Sequence, residues 1–484
     1  MRLGPELLSC DRAHLVQVTD PNHAPFDAGQ FARDFQEFLQ AVNRLVPAAG
    51  ESLADLVTGH FGTDPRAFPS VTVQLEMTEQ PNVQLALEVL PGEWRVLGLA
   101  GELRHYGGLS LVGLLSGRLG MMAGVTPVEY VEVPVDVERT LPCAQMAVWL
   151  GHVDGAPVAV LNVAGSEHGP RQGITVEVMA AERALASTVL AQIRSLMDLH
   201  NVYRGKVLSF THTEYGRFGL TFHRVPRLGR QNVILPQDDL DAIERHTVGI
   251  AEHADALKAA ARHLKRGLLL YGPPGTGKTL SVMYLCNRMP GRTTLLLTGP
   301  GAGALGQAVA IARSMQPSMV VLEDVDLVAM ERTLPGMQNN PLLFQLLNEM
   351  DGLAEDADVI FVLTTNRVDL LEPALAARPG RIDQAVEIRL PDAESRRRLF
   401  GLYLDGIRHE IDDLEPYVAR TDGVSAAFIR ELVRRALLDV IAAAGAGETS
   451  VLRAGDLTRG LDDLLDRSAP LTRAILGAAR PDVP

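Results

Sequence analysis

The chain has 484 residues, of which 46% are hydrophobic, and it carries a formal net charge of −14. This length suffices for about three globular domains of ordinary size, and the acidity argues against a general nucleic-acid or anionic-membrane binder. Cys10, Cys143 and Cys286 are odd in number and widely spaced, a pattern that excludes a disulfide framework and indicates a reducing compartment. Without a signal-peptide pattern or a run of 18 apolar residues, the sequence predicts a cytoplasmic protein with no transmembrane segment.

The first part of the chain has the pattern of an α/β domain but no motif that reveals its role. Amphipathic spacing predicts a helix at 31–45, and alternating apolar residues predict strands at 71–77 and 83–89. A long helical pattern at 180–198 precedes a predicted strand at 201–210.

Changes in pattern divide the sequence into five regions. We expect an N-terminal α/β domain at 1–205, a connector at 206–232, a parallel α/β nucleotide-binding domain at 233–391, a mostly helical region at 392–468 and a tail at 469–484. The domain at 1–205 is expected to be a separate structure.

The sequence GPPGTGKT at 272–279 is a phosphate-binding loop between an apolar strand pattern and a helix pattern. Its glycines let backbone N–H groups turn toward phosphates, Lys278 reaches the outer phosphates and Thr279 offers a hydroxyl to Mg²⁺. Only four of the 45 basic residues are lysines, and Lys278 stands where a compact ammonium suits phosphate better than a guanidinium. The predicted nucleotide-binding residues are Gly272, Pro273, Pro274, Gly275, Thr276, Gly277, Lys278 and Thr279.

Two acids follow the next buried strand pattern, at 319–322. Glu323 and Asp324 would stand at the carboxyl end of that strand, where α/β sheets bind ligands. One acid can hold Mg²⁺ through water while the other polarises the water that attacks the γ-phosphate. Both acids are therefore candidates for the metal and for catalysis, together with Thr279 as a metal ligand.

Three further polar residues complete the candidate catalytic set. Asn366 ends an apolar strand pattern at 359–365 and could orient the attacking water, although an Asn at a strand end is often only a turn former. Arg378 and Arg381 flank a Pro-Gly turn and could stabilise charge on a transferring phosphoryl group, most plausibly in a neighbouring subunit.

Together, these residues resemble the AAA family of ATPases from about residue 227 to about residue 466. The segment LLNEMDGL at 346–353 is typical of that family, and GVSAA at 423–427 resembles its small-residue lid segment. The residues at 233–236 and 263–267 look most similar to the branch of the mitochondrial Rieske-protein translocase. The resemblance implies a P-loop parallel sheet with a helical lid, ATP and Mg²⁺ as ligands, and a homo-oligomeric ring, commonly a hexamer, that acts on a protein client.

The sequence departs from the family pattern at three places. Most members have Asp before Glu at the strand end, whereas Glu323 precedes Asp324 here, so turnover is expected to be slower. One extra residue between Pro373 and Arg378 makes Arg381 the better arginine candidate of the two. The segment at 299–306, where the family has its pore loop, has no aromatic residue to grip a threaded chain.

Two functional hypotheses follow. The first is a cytoplasmic Mg²⁺-dependent ATPase that remodels a protein partner chosen by the N-terminal domain, without nucleic acid as a partner. The second is an ATP-gated assembly scaffold with slow hydrolysis. A membrane-protease function is disfavoured because HEIDD at 409–413 lacks the second His of the H-E-x-x-H zinc motif, and we expect a solvated helix edge there.

Overall fold

The computed structural model describes residues 30–31, 34–35, 37–38, 52–99, 109–116, 124–165, 173–212, 218–326, 341–354, 356–370, 381–444 and 451–467. Its strands are β1 (Ser70–Leu75), β2 (Trp94–Leu99), β3 (Val125–Thr126), β4 (Tyr130–Pro134), β5 (Thr140–Ala144), β6 (Met146–Val153), β7 (Ala156–Ala164), β8 (Ile174–Ala180), β9 (Val207–His212), β10 (Phe218–Phe222), β11 (Arg266–Tyr271), β12 (Thr293–Leu297), β13 (Ser318–Leu322), β14 (Val359–Thr365), β15 (Gln384–Glu387), β16 (His409–Glu410) and β17 (Leu452–Arg453).

Its helices are α1 (Leu53–Phe61), α2 (Gln80–Glu88), α3 (Leu111–Leu115), α4 (Arg183–Leu199), α5 (Gln237–Glu244), α6 (Ile250–Glu252), α7 (Ala254–Ala259), α8 (Lys278–Arg288), α9 (Leu305–Ser314), α10 (Pro341–Asp351), α11 (Ala393–Leu404), α12 (Glu415–Arg420), α13 (Ala426–Ala444) and α14 (Ala454–Asp462).

The chain divides into two compact units that are not consecutive in sequence. The first comprises Met1–Leu75, Pro91–Glu129 and Ala144–Ala191, and the second comprises Glu76–Leu90, Tyr130–Cys143 and Gln192–Pro484. Three segments of the region predicted as the N-terminal domain, at 76–90, 130–143 and 192–205, therefore belong to the same unit as the phosphate-binding loop.

The first unit is built on an antiparallel sheet with the strand order β1-β8-β7-β6-β2-β3. Helix α1 places Leu53, Val57 and Phe61 at four-residue spacing, so that one face packs into the core with the sheet. Burial of each such side chain stabilises the folded protein by about 1.5–3 kcal/mol, so the packing of this face stabilises α1.

The predicted strand at 83–89 is wrong, because α2 occupies Gln80–Glu88. Pro81 lies in the first turn of this helix, where it costs no hydrogen bond. Val83, Ala86 and Leu87 are buried at three- and four-residue spacing, a helical pattern that the alternation of apolar residues concealed. By contrast, the predicted strand at 71–77 corresponds to β1, and the predicted helix at 180–198 corresponds to α4. In the predicted helix at 31–45, the described residues 31, 34–35 and 37–38 are helical and the others lie outside the described residues.

The second unit has a sheet with the strand order β10-β9-β12-β13-β14-β11-β15, in which all neighbours are parallel except β9 and β10. The central strands β12, β13 and β14 are buried along their whole length, which explains their continuous apolar sequences. Leu295, Val320 and Phe361 face one core with α9 and α10. The alternate residues face a second core with α5 and α8, so helices cover both faces of the sheet.

The segment predicted as a connector at 206–232 contains two strands of this sheet. Strand β9 pairs with β12 through Val207, Leu208 and Ser209, and β10 follows it as an antiparallel edge strand. Helices α11 to α14 form a further hydrophobic core of their own, around Phe400, Phe428 and Leu432.

Candidate functional site

The loop at 272–277 connects the buried strand β11 to the start of α8. Gly272, Gly275 and Gly277 have φ values of 141°, 74° and 111°, a region that residues with a Cβ rarely adopt. A Cβ on Gly272 would lie 2.2 Å from the carbonyl oxygen of Ile388. The glycines therefore let the backbone fold tightly before the helix, whose N-terminal N–H groups form a natural anion site.

Lys278 is the first residue of α8, and only 7% of its surface is exposed. Its Nζ donates hydrogen bonds to the carbonyl oxygens of Gly272 and Pro273, both over 2.8 Å. Burial lowers the pKa of Lys278, whereas the charges of Asp324 and Asp326 raise it. The ammonium is thus held inside the loop, beside the position that a phosphate would take.

Glu323 follows β13 and lies close to the start of α8. Burial, the largest influence, raises the pKa of its carboxyl group and the charge of Asp324 raises it further, whereas the Thr279 hydroxyl beside it lowers that pKa. Within the described residues, the Oε1 atom of Glu323 is buried and has no hydrogen-bond partner. A carboxylate oxygen without a partner beside a threonine hydroxyl fits Mg²⁺, which is held by one or two such oxygens together with substrate phosphates and water.

Asp324 has a left-handed backbone with a φ of 49°. Its amide donates to Thr364 Oγ1 over 3.0 Å, and its Oδ1 accepts from Asn366 Nδ2 over 3.1 Å. A non-glycine residue in this conformation costs on the order of 1–3 kcal/mol and persists only where its surroundings hold it. The strand end of β14 supplies that support and turns the Asp324 carboxylate toward Asn366.

One cavity of about 590 Å³ lies at the carboxyl ends of β11, β13 and β14, and Glu323 is not among the residues that line it. Lys278, Thr279, Asp324 and Asn366 lie on its wall, with the phosphate-binding loop. The opposite wall includes Val233 to Leu235 and Ala426 to Ala427, from the segments at 233–236 and 423–427. The sequence motifs missed its other members, which are Asn232, Leu399, Tyr403, Arg430, Glu431 and Arg434. The apolar members of this wall suit a planar base, whereas the loop suits phosphates.

The resemblance at 423–427 marks the part of that wall that contacts the phosphate-binding loop. Ala427 donates its backbone N–H to the carbonyl oxygen of Gly275 over 3.0 Å. A Cβ on Gly275 would lie 2.8 Å from Ser425 Oγ and 2.9 Å from Ala427 Cβ. The start of α13 therefore rests directly on the phosphate-binding loop. Further along this helix, Arg434 and Arg435 form ion pairs with Glu431. The hydrogen bond from Arg434 is the largest of the influences that lower the pKa of Glu431 to about 2.

Arg381 lies outside this cavity. Its Nη2 is 2.7 Å from Asp351 Oδ2, and its carbonyl oxygen would contact a Cβ on Gly267, near the start of β11. The phosphate-binding loop leaves the other end of β11, after Tyr271, which is about 13 Å further along the strand. Arg381 therefore does not join Lys278 at the site of its own chain. Arg378 lies outside the described residues.

A phosphate-binding loop, two strand-end acids and a strand-end amide on a parallel sheet define a P-loop nucleoside triphosphatase domain. Residues 268–390 match the family model described as ATPase family associated with various cellular activities (AAA). This part of the chain is therefore similar to AAA ATPase domains, a family described by its ATPase members.

Curated relatives extend the similarity beyond that segment. The chain is 32% identical over 288 residues to the ATP-dependent zinc metalloprotease FtsH 4 of Sphaerobacter thermophilus, which covers 55% of the chain and 43% of that protein. It is 33% identical over 190 residues to the 26S proteasome regulatory subunit 6B homolog of Dictyostelium discoideum, covering 36% and 47%. The proteasome-activating nucleotidase of Archaeoglobus fulgidus is 30% identical over 221 residues, covering 43% and 54%. The chain thus spans about half the length of these relatives.

The zinc-protease motif is incomplete in the structure as well as in the sequence. His409 and Glu410 lie in the short strand β16, which pairs with β17, so the helix edge expected there is wrong. Arg453, from β17, places its Nε 3.0 Å from Glu410 Oε2, and this pairing favours the strand. Across the described ranges, no cluster of three or more His, Cys, Asp or Glu side chains could hold a metal ion. In the same residues, no helix is both long and apolar enough to span a bilayer.

Proposed function

We propose that this protein is an oligomeric, Mg²⁺-dependent ATPase that uses ATP hydrolysis to remodel or translocate a protein partner. The observation that supports this proposal most is the convergence of Lys278, Thr279, Asp324 and Asn366 on one cavity beneath the phosphate-binding loop. The names of the relatives point the same way, since they include a proteasome-activating nucleotidase and ATP-dependent proteases.

In this proposal, the backbone of 272–277 and Lys278 would bind the phosphates, and Thr279 and Glu323 would hold Mg²⁺. The metal would neutralise charge that develops on the phosphate oxygens during transfer. Asp324 accepts the proton of the attacking water, and Asn366 orients that water without adding charge. The buried Glu323 oxygen without a partner supports its metal role, and the Asn366–Asp324 hydrogen bond supports a shared water site.

Arg381, and Arg378 beside it in sequence, are proposed to act in the site of a neighbouring subunit. The distance between Arg381 and its own phosphate-binding loop, along the length of β11, supports an action in trans. A homo-oligomeric ring, expected to be a hexamer, would bring an arginine to each site. The client is proposed to bind the first unit, and the cytoplasmic location and the likeness to the Rieske-protein translocase branch stay predictions.

The second candidate is an ATP-gated scaffold whose slow hydrolysis times its assembly with a partner. The reversed order of Glu323 and Asp324 favours it, because Asp is one methylene shorter than the Glu expected at the catalytic position. The segment at 299–306, which lacks an aromatic residue, favours it as well. The two candidate functions differ in the expected rate of ATP hydrolysis, whereas both require ATP and Mg²⁺.

Steady-state ATP turnover, with and without Mg²⁺, tests both candidates. A rate on the order of 1 per second supports remodelling, whereas a rate hundreds of times lower with ATP-dependent ring assembly supports the scaffold. Sedimentation velocity with ATP, with ADP and without nucleotide measures the assembly. If Lys278→Ala left ATP binding and hydrolysis intact, both candidates would be excluded.

The partner can be sought with full-length Asp324→Asn, which is intended to hold ATP without hydrolysing it. Lys278→Ala, which should not bind ATP, is the matched control. A partner that copurifies with Asp324→Asn in the presence of ATP, and not with Lys278→Ala, supports remodelling. Equal recovery on the two variants would count against an ATP-dependent interaction.

A further inference from the structure

A third acid, Asp326, lies two residues beyond Asp324 and is only 3% exposed. Its Oδ1 accepts two hydrogen bonds from the end of β14, one from Thr365 Oγ1 over 2.8 Å and one from the backbone N–H of Asn366 over 3.2 Å. A buried carboxylate is costly unless it is bonded in this way, so its partners indicate what it holds.

These hydrogen bonds determine how the chain leaves β14. Thr365 Oγ1 donates to Asp326 and also accepts the N–H of Arg367 over 3.0 Å, so one hydroxyl links the acid to the turn after the strand. Asn366 lies between Thr365 and Arg367 in the sequence, and its side chain donates a hydrogen bond to Asp324. The backbone of Asn366 is thus fixed from one side by Asp326, while its amide group is free to face the Asp324 carboxylate.

We propose that Asp326 is a positioning residue for ATP hydrolysis, which holds the end of β14 so that the Asn366 amide faces Asp324. This inference rests on the proposed ATPase function. Asp326 does so through its acceptor oxygen rather than its charge. It acts through Asn366, because Asn366 lines the cavity and Asp326 is not among the lining residues.

A charge role for Asp326 makes a different prediction. Its carboxylate also raises the pKa of Lys278, against the larger effect of burial. If this charge were what mattered, its removal would weaken nucleotide binding, because Lys278 binds the phosphates. If the acceptor oxygen matters, its removal lowers the rate of hydrolysis and leaves ATP affinity nearly unchanged.

The test compares Asp326→Ala with Asp326→Asn in the full chain. Asn keeps an oxygen that can accept from Thr365 and Asn366 but loses the charge, whereas Ala loses both. We expect kcat to fall about 100-fold in Asp326→Ala, as misplacement by about 1 Å can do, and to stay within about threefold in Asp326→Asn. The ATP dissociation constant, measured by titration of the purified variants, is expected to change by less than about threefold in both, since Lys278 is untouched.

The kcat of a double mutant tests whether Asp326 acts through Asn366. If it does, Asp326→Ala in the Asn366→Ala background adds little further loss of kcat, because the positioned amide is already gone. Multiplicative losses in the double mutant would overturn the proposal, as would equal losses in Asp326→Asn and Asp326→Ala.

Two further comparisons keep the test decisive. If thermal unfolding shows that Asp326→Ala does not fold, Thr365→Val takes its place in the test. The Thr365→Val substitution removes one of the two donors to Asp326 Oδ1, so kcat should fall. Thr365→Ser keeps that donor and should turn over near the wild-type rate. A Thr365→Val variant with wild-type kcat would overturn the proposal. If the wild-type protein itself does not hydrolyse ATP, the proposed function fails instead.

Discussion

Asn366 Nδ2 donates a hydrogen bond to Asp324 Oδ1 over 3.1 Å, and so joins the ends of the neighbouring strands β13 and β14. The two residues lie 42 positions apart in the sequence. Their side chains face the cavity that contains the phosphate-binding loop. A water bound between this carboxylate and this amide would be oriented by a donor and activated by an acceptor, which is the arrangement that hydrolysis of a phosphoanhydride requires.

The first prediction concerns Asp324. Replacing Asp324 with Asn keeps an oxygen that can accept from Asn366 but removes the proton acceptor, so we expect kcat to fall about 10²- to 10⁴-fold. ATP affinity should be largely retained. Steady-state turnover and equilibrium ATP titration measure the two effects. Asp238→Asn, at an exposed position on α5, is the matched control and should turn over at the wild-type rate. A wild-type rate in Asp324→Asn would remove Asp324 from the reaction.

The second prediction concerns the shape of the cation in the loop. Lys278 Nζ reaches two loop carbonyl oxygens at 2.8 Å, a position that a planar guanidinium does not reproduce. We expect Lys278→Arg to weaken ATP binding about 10- to 100-fold, as the loss of a hydrogen bond to a charged group does. Lys258→Arg, on the exposed side of α7, provides a control for the same substitution. Comparable ATP affinity in both variants would show that only the charge at 278 matters.

The third prediction is a pH dependence that arises from Glu323. Burial raises its pKa above the ordinary value of 4.5. The stability that its neutral form contributes is therefore present at low pH and is lost as the pH rises through the raised pKa. Glu323→Gln cannot ionise, so without Mg²⁺ and nucleotide it should melt at a higher temperature than wild type at pH 8, on the order of 2 °C for about 1 kcal/mol. This advantage should shrink toward pH 4.5.

Differential scanning calorimetry at several pH values between 4.5 and 8 measures this difference. Glu252→Gln, at an exposed position, is the control and should show no such trend. The same Glu323→Gln variant should need a higher Mg²⁺ concentration for half-maximal hydrolysis, because it has lost a charged ligand. A difference in melting temperature that does not vary with pH would contradict the assignment of a raised pKa to Glu323.

The fourth prediction concerns the contact between α13 and the phosphate-binding loop. A methyl group on Gly275 would meet Ser425 Oγ and Ala427 Cβ at under 3 Å, on a backbone whose φ of 74° disfavours alanine. We expect Gly275→Ala to break the hydrogen bond from Ala427 and to weaken ATP binding by at least about tenfold, equivalent to about 1.4 kcal/mol. Gly401→Ala, on α11 with open space around it, serves as the control. Isothermal titration calorimetry with unchanged affinity in Gly275→Ala would refute this expectation.

The fifth prediction tests the action of Arg381 across a subunit interface. Arg381→Ala alone should bind ATP but hydrolyse it about 10³-fold more slowly, a loss typical of an arginine that stabilises the transferring phosphoryl group. Mixed with Lys278→Ala, whose own site is inactive but whose arginine is intact, it should recover part of the lost activity. Arg389→Ala, an arginine that is 68% exposed and paired with Glu387, is the control. If mixing restores nothing while mixed oligomers form, Arg381 does not act in trans.

Much of the fold was accessible from the sequence because its central strands contain continuous apolar runs. β11, β13 and β14 are buried on both faces, so their residues form continuous apolar runs that any reading of the sequence detects. Elements outside these central strands were harder to predict from the sequence. The helix α2 shows an alternation of apolar residues that also fits a strand, and the predicted strand at 201–210 overlaps only part of β9, whose place in the sheet depends on its pairing with β12. Both depend on contacts with residues far away in the sequence.

The sequence by itself determined the chemistry of the phosphate-binding loop, since GPPGTGKT places every group within eight consecutive residues, where covalent geometry alone brings them together. It also determined that two acids and an amide end buried strands. Only the tertiary structure decided that Asn366 faces Asp324, that Ala427 rests on Gly275 and that Arg381 lies away from its own site. These relationships join residues tens to more than a hundred positions apart. They follow from the strand order and register of the sheet and from the packing of α13, which no local pattern encodes.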